Sequence, residues 1–231
     1  MTTEYTRHRI GLVGSGIATS LSPALHAHEA AALGLDDYSY ELVDLENLNI
    51  SVEKTGEVVR GAVAGDFTGL NITHPCKQVV VDALDELSDN ARLLGAVNTV
   101  VVDNGRLIGH NTDHSGFLTA LQRGLPDAAL DRVVLAGGAG GGAGSAVAYA
   151  LAAAGTTDLR IADIDPARAA DVCSRVASAF PGTRTTALAI DEIAVNLTTC
   201  DASSTHLRSA WWVTPPELPS TCGVAFRIVG R

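Results

Sequence analysis

The chain has 231 residues, 46% of them hydrophobic and 18% charged, which is enough apolar material for a core and too little charge for a disordered chain. Sixteen basic residues against 26 acidic ones give a formal net charge of −10, which argues against nucleic acid and anionic membranes as partners and leaves a small anionic substrate open. The four cysteines (Cys76, Cys173, Cys200, Cys222) form no CxxC pair and no zinc spacing, and residues 1–14 lack a signal-peptide pattern, so a reduced, cytoplasmic protein without a metal site is expected.

Residues 10–13 read as a strand ending in Gly14-Ser15-Gly16. A helix is predicted from Pro23, because proline suits the first helical turn. Residues 38–45 set Tyr38, Tyr40 and Leu42 against Ser39 and Glu41, the alternation of a strand. Residues 52–63 predict a helix and 69–72 a short strand. Residues 77–87 predict a second helix, with Val80, Val81, Leu84 and Leu87 on one face. Strands at 97–102 and 106–109 flank Asp103-Asn104-Gly105, a hairpin turn signal.

The second half begins after Gly124-Leu125-Pro126. Residues 132–135 predict a buried strand, followed by the run Gly137 to Gly144. A helix comes next, with Ala143, Ala146, Val147, Ala150, Leu151 and Ala154 on one face. Residues 159–162 predict the following strand, with Asp163 at its end. Asp165-Pro166 opens another helix, with Val172, Val176 and Phe180 facing inward. Strand, glycine loop, helix and strand in this order make a βαβ unit, the start of a doubly wound domain. The uncharged stretch 133–155 is broken by its glycines and is not read as a membrane span. From about Asp191 the periodicity fades. The tail holds Trp211, Trp212 and Pro215-Pro216, and 224–229 is its one strand-like run. It is expected to leave the second domain incomplete.

The glycine run carries the first chemistry. Glycines let the backbone approach a pyrophosphate, and the helix N-terminus supplies free N–H groups for it. Gly138, Ala139, Gly140, Gly141, Gly142 and Ala143 are the candidate contacts, and a plain strand-to-helix turn is the alternative. Asp163 lies 19 residues beyond Gly144, where a ribose-binding acid is expected. A carboxylate there accepts from the 2′-hydroxyl of NAD and repels the 2′-phosphate of NADP, so NAD is the preferred cofactor. Arg168 lies within reach in sequence as a cofactor contact for the NADP case.

Four polar clusters occupy the first half: Ser20-Leu21-Ser22-Pro23, Asn71-Ile72-Thr73-His74-Pro75-Cys76-Lys77, Asn98-Thr99, and Gly109-His110-Asn111-Thr112-Asp113-His114-Ser115-Gly116-Phe117. In order and spacing they resemble the SxSP, NxTxPxK, NT and GxNTDxxGF motifs of the shikimate dehydrogenase family. The resemblance covers residues 10–170. It implies that Ser20 and Ser22 hold a substrate carboxylate, that Asn71, Thr73, Asn98 and Asp113 contact ring hydroxyls, and that Lys77 and Asp113 form the catalytic pair. The implied reaction is the reversible, NAD(P)-dependent reduction of 3-dehydroshikimate to shikimate, with quinate and 3-dehydroquinate as a second pair. The residue chemistry agrees, because a polyhydroxylated carboxylate needs neutral groups that both donate and accept. Reducing a ketone also needs a proton donor beside the developing alkoxide, which a lysine supplies directly or through water.

Plainer roles exist for single residues. Ser20 and Ser22 would also cap the helix at Pro23, Lys77 would serve as a solvated first-turn residue, and Asn98 would fit a turn. His26 and His28 do not share a helix face and are not read as ligands. His110 and His114 are read as neighbours of the site, and Cys76 receives no role. Two departures from the family stand out. The glycine loop is richer than the family's GAGGxG. The family's NATPxGM motif and its later substrate-contacting glutamine have no clear counterpart, as in a truncated or frameshifted gene end. The expected architecture is therefore α/β, with an N-terminal substrate domain over 1–113 and a Rossmann-like nucleotide domain over 114–231, the site lying between them. A small-molecule substrate is the expected partner, with a homodimer allowed. A relic that binds substrate or nucleotide with impaired turnover is the rival expectation.

Overall fold

The computed structural model describes residues 7–136, 141–205 and 225–228. The chain divides into two compact units, Met1–Thr112 and Asp113–Arg231. In unit 1 the strands are β1 (His8–Gly14), β2 (Tyr38–Asp44), β3 (Gly69–Ile72), β4 (Glu86–Leu87), β5 (Thr99–Asp103) and β6 (Arg106–His110). They form one sheet in the order β2-β1-β3-β5-β6-β4. Helices α1 (Ser22–Ala32), α2 (Thr55–Ala64) and α3 (Asp89–Leu94) complete the unit.

The register of this sheet decides where the polar clusters go. β1 runs parallel to β2 and β3, with Gly14 beside Asp44 and Val13 beside Ile72. β5 runs antiparallel to β3, with Asn71 opposite Thr99, and β6 returns antiparallel to β5, with Thr99 opposite His110. The ends of β1, β2, β3 and β6 and the start of β5 therefore share one sheet edge. That edge receives the segments carrying Ser20, Thr73, Asn98 and Thr112. Below it lies an apolar core that includes Val13, Leu45, Val59, Leu70, Ile72, Val97, Val100 and Leu107. Burying each such Leu or Ile contributes about 1.5–3 kcal/mol.

Asp44, at the end of β2, fastens the loop after β1. It is 5% exposed. One carboxylate oxygen accepts from the Gly16 N–H at 2.9 Å and the other from the Ile17 N–H at 3.0 Å. The Glu46 N–H adds a third bond at 3.1 Å. Gly16 sits at φ +68°, a left-handed conformation that favours glycine. Gly14 is also required, because a Cβ there would lie 2.5 Å from the Thr73 methyl.

Two expectations for unit 1 need correction. Residues 77–87 are not an α-helix; they form a turn, a 3-10 segment at Val79–Ala83 and strand β4. Three consecutive valines are poor helix formers. In addition, Asp85 accepts from the Leu107 N–H at 2.8 Å and donates its own N–H to the Leu107 carbonyl at 2.9 Å, which draws the segment onto β6. Residues 52–63 are helical only from Thr55, after a 3-10 turn at Val52–Lys54. The hairpin turn is as expected, with Asn104 at φ 48° and Gly105 at φ 78°.

Unit 2 holds α4 (Asp113–Gly124), β7 (Arg132–Ala136), α5 (Gly142–Ala153), β8 (Asp158–Ala162), α6 (Pro166–Ala179), β9 (Arg184–Leu188), α7 (Ile193–Leu197), β10 (Ala202–Thr205) and β11 (Ala225–Ile228). Its sheet order is β11-β10-β7-β8-β9, with β7, β8, β9 and β10 parallel and β11 antiparallel. This is the doubly wound pattern, which reverses direction between β7 and β10. α5 is buried on every side from Gly144 to Ala152 rather than along one stripe, which its alanines permit. α6 is capped by Asp165, whose carboxylate accepts from the Ala167 N–H at 3.0 Å. Val172 and Val176 are fully buried, and Phe180 lies edge-on to Tyr149 with ring centroids 5.9 Å apart.

The tail holds two elements that its faded sequence pattern did not announce. Beyond Asp191 the chain still forms α7 and then β10, which pairs along the free side of β7 from Ala202 beside Val133 to Thr205 beside Ala136. β10 carries little apolar signal (Ala-Ser-Ser-Thr), yet Ala202 and Ser203 are buried. β11 falls where a strand-like run was read. Trp211, Trp212, Pro215 and Pro216 lie outside the described residues. Among the described residues no helix is long and apolar enough to cross a membrane.

The Asp44 anchor is open to test. Asp44→Ala strips the acceptor from two loop amides and is expected to destabilise unit 1 by about 1–3 kcal/mol in urea unfolding. Hydrogen exchange at Gly16 and Ile17 should accelerate in the variant. Unchanged exchange at those two amides would contradict the anchoring role.

Candidate functional site

Unit 1 gathers most of the residues singled out from the sequence along its shared strand edge. Ser20 and Ser22 are adjacent and half-buried, with the Ser20 hydroxyl donating to Ser22 Oγ at 3.2 Å. The Ser20 oxygen also accepts from the Ser22 N–H at 3.2 Å. Ser20 thereby satisfies the first N–H of α1, although the N-cap position itself is Leu21 and has no side-chain cap bond. The plainer helix-end role thus holds in part for Ser20.

Asn71 sits on β3, one strand away from β2 across β1, and is half-buried. Its Oδ1 accepts from the Tyr40 hydroxyl at 2.8 Å, and its Nδ2 lies 3.5 Å from Thr99 Oγ1. Asn98 precedes β5. Its Oδ1 accepts from the Thr99 hydroxyl at 2.9 Å and from the Thr112 N–H at 3.0 Å, and its Nδ2 donates to Thr112 Oγ1 at 2.9 Å. Thr73 follows β3; its N–H donates to the Val13 carbonyl at 2.9 Å, and its carbonyl accepts from the Cys76 N–H at 2.8 Å. Lys77 is half-buried in the turn that follows, and its carbonyl accepts from the Val97 N–H at 2.8 Å. That bond sets the Lys77 backbone beside the Asn98-Thr99 segment. Asn111 is buried, with its Nδ2 donating to the Ala96 carbonyl at 2.9 Å. Asp113 opens α4 at the head of unit 2, where a carboxylate suits the helix dipole.

Several participants were not assigned from the sequence. Tyr40 is the main one. Its ring stacks on His26 with centroids 4.2 Å apart, and His26 Nδ1 lies 3.0 Å from the Tyr38 hydroxyl. Burial pushes the Tyr40 phenol well above its usual range, neighbouring Tyr38 adds to this, and Ser22 works the other way. The group therefore keeps its proton at neutral pH. Burial likewise lowers His26, which favours the neutral ring. The alternation of β2 placed Tyr38 and Tyr40 on one face, but only the β1–β2–β3 register brings Tyr40 to Asn71. Asp44, Thr99 and Thr112 are the others. Both threonines stand inside the polar clusters, with no signal in sequence of which atom they touch. Cys76 is fully buried in the core below.

In unit 2 the candidate nucleotide contacts stand at the carboxyl ends of β7 and β8. Gly138, Ala139 and Gly140 lie outside the described residues. Gly141 is the N-cap of α5, in extended conformation and without a side-chain cap bond, and the first turn carries no acid. Gly142 and Ala143 follow as small, half-buried residues. A helix N-terminus left open in this way, next to a sheet switch point, suits a pyrophosphate. Asp163 is 3% exposed at the end of β8, and its Oδ1 accepts from the Asp165 N–H at 2.9 Å. Arg168 is exposed, with its Nε 3.6 Å from Asp165 Oδ2. Among the described residues no His, Cys, Asp and Glu group of three or more is arranged to hold a metal ion.

Comparison with known proteins bears on this arrangement. The family model described as "Shikimate dehydrogenase substrate binding domain" matches residues 12–100. The chain is 51% identical over 184 residues to the shikimate dehydrogenase (NADP(+)) of Arthrobacter sp. (strain FB24), covering 80% of this chain and 62% of that protein. It thus spans less than two thirds of the length of that relative. Among solved structures it resembles a quinate dehydrogenase from Corynebacterium glutamicum in complex with NAD, at TM-score 0.75 and 38% identity over 84% of this chain and 68% of that one. It also resembles the shikimate 5-dehydrogenase of Thermus thermophilus in complex with shikimate, at TM-score 0.65 and 34% identity over 80% of this chain and 70% of that one. The four ordered polar clusters, the sheet edge that collects them and these likenesses converge on one result: the chain belongs to the shikimate dehydrogenase family.

Proposed function

We propose that this protein catalyses the reversible, NAD(P)-dependent reduction of 3-dehydroshikimate to shikimate, with quinate and 3-dehydroquinate as a second pair. The carrying observation is the collection of Ser20, Ser22, Asn71, Thr73, Lys77 and Asn98 along one edge of the unit 1 sheet. The two adjacent serines supply hydroxyl donors for a carboxylate, and Asn71, Thr73, Asn98 and Asp113 supply polar contacts for ring hydroxyls. The Arthrobacter relative's name supports shikimate, and the two solved relatives support shikimate and quinate. Ser22 provides a small hydroxyl, which leans toward shikimate.

A bound nicotinamide cofactor supplies or accepts the hydride. The residues of this chain do the rest. Lys77 is the group that delivers a proton to the carbonyl oxygen as negative charge develops there, and removes it in the reverse direction. Asp113 orients the ammonium and contacts a substrate hydroxyl. The small residues Gly141, Gly142 and Ala143 let a pyrophosphate reach the α5 N-terminus, together with Gly138, Ala139 and Gly140 of the same loop.

We infer a preference for NAD over NADP from the end of β8. Asp163 stands where the adenosine ribose is expected, and Asp165 follows two residues later. Asp165 also pairs with Arg168, which reduces the capacity of that guanidinium to neutralise a 2′-phosphate. Two carboxylates beside a dianionic phosphate are unfavourable, whereas a 2′-hydroxyl donates to one of them.

A spectrophotometric assay of the purified chain with shikimate or quinate and either cofactor tests both readings. Lys77→Ala is expected to lower kcat by a factor on the order of 10²–10⁴ while substrate binding survives, since the group acts in the transition state. Ordinary turnover by that variant would remove Lys77 from the chemistry. Substrate binding without turnover in the unaltered chain would favour the relic instead. Asp163→Ser should narrow the NAD-over-NADP ratio of kcat/KM, and equal efficiency with both cofactors in the unaltered chain would contradict the NAD preference.

A further inference from the structure

The polar chain under the unit 1 edge has a direction, and one backbone group sets it. The Thr112 N–H can only donate, so the Asn98 atom facing it at 3.0 Å is the amide oxygen. Asn98 therefore turns its NH2 toward Thr112 Oγ1, at 2.9 Å. The Thr99 hydroxyl also meets the Asn98 oxygen, at 2.9 Å, and must spend its one proton there. Its oxygen is left as an acceptor, so the Asn71 atom facing it at 3.5 Å is the nitrogen. The Asn71 oxygen then faces Tyr40, whose hydroxyl donates to it at 2.8 Å. Burial keeps that hydroxyl protonated.

We propose that Thr99 and Tyr40 are positioning residues that fix the amide polarity of Asn71, so that Asn71 offers an N–H donor, not a carbonyl acceptor, to an oxygen atom of the ligand. This rests on the reading above in which Asn71 contacts the substrate. An asparagine amide is nearly symmetric in shape, and a half-turn exchanges its donor for its acceptor. Without an internal reference the Asn71 side chain would present either face. With one, the edge is pre-set for ligand oxygens that accept, the carbonyl and hydroxyl oxygens of a polyhydroxylated ring acid, and set against amine or ammonium groups at the same positions. The order of influence runs from the Thr112 N–H through Asn98 and Thr99 to Asn71, which Tyr40 meets from the other side. The 3.5 Å step between Asn71 and Thr99 is its weakest link, which is why Tyr40 is needed as a second clamp on Asn71.

The test uses the intact chain, isotope-labelled, with NMR of the asparagine side-chain amides and shikimate titration. Tyr40→Phe removes only the hydroxyl. It is expected to shift or broaden the Asn71 NH2 resonances in the ligand-free protein and to weaken shikimate about threefold to tenfold, the scale of one lost hydrogen bond. Thr99→Val should likewise move the Asn71 resonances, and Thr99→Ser, which keeps the hydroxyl, should return them to their native positions. Unmoved Asn71 resonances, or unchanged shikimate affinity in Tyr40→Phe, would overturn the inference. If the unaltered chain fails to bind shikimate, the proposed substrate falls, and the side-chain amide resonances still decide the polarity argument.

Discussion

The carboxylate of Asp44 fastens the β1–α1 loop to the sheet edge on which the candidate site is built. It ends β2, faces Gly14 across the parallel ladder, and takes up the two amides with which the β1–α1 loop begins. That loop leads to Ser20 and Ser22. A buried carboxylate with several backbone N–H donors is stable because the bonds replace lost water, and each charge-assisted bond is stronger than a neutral one. The loop could not take the same course through side-chain packing alone, since the residues between Gly14 and Ser20 include one buried apolar side chain, Ile17.

From this anchor the polar edge extends strand by strand. The backbone pairs Val13 with Ile72 and Asn71 with Thr99, so residues distant in sequence meet within hydrogen-bond reach. The Lys77 carbonyl on the Val97 amide joins the NxTxPxK segment to the NT segment in the same way. Beneath the edge the apolar core supplies most of the stabilisation, and the polar groups above it are largely paired with one another. Pairing sets side-chain directions before any ligand arrives, and such pre-orientation lowers the ordering cost of binding. Unit 2 repeats the principle with different means. There the parallel ends of β7 and β8 present an open helix N-terminus and a buried aspartate, with β10 on the other side of β7 marking the reversal of strand order.

Much of this was legible in the sequence, and the parts that were not share a cause. The 10–13, 38–45 and 69–72 strands, the Asn104-Gly105 turn and the βαβ unit follow from local periodicity and turn chemistry. The polar clusters were visible because their residues lie close together in sequence. The 77–87 segment misled because Val80, Val81, Leu84 and Leu87 keep helical spacing, while its fate was settled by Asp85 pairing with Leu107 on a distant strand. β10 was hidden because a central parallel strand made of Ala202, Ser203, Ser204 and Thr205 has no apolar run, and its place depends on the vacant side of β7. Tyr40 shows the same limit within the site. Its alternation with Tyr38 marks a strand face, but only register makes it a neighbour of Asn71.

On the proposed function, the unit 1 strand edge is a preformed receptor for a hydroxylated ring carboxylate. A crystal structure of the chain grown with shikimate tests it most directly. The account predicts the carboxylate at the Ser20 and Ser22 hydroxyls and ring oxygens at the Asn71 and Asn98 amides, with little movement of the β1–α1 loop. Shikimate bound elsewhere, or bound with its carboxylate on the asparagines, would contradict it.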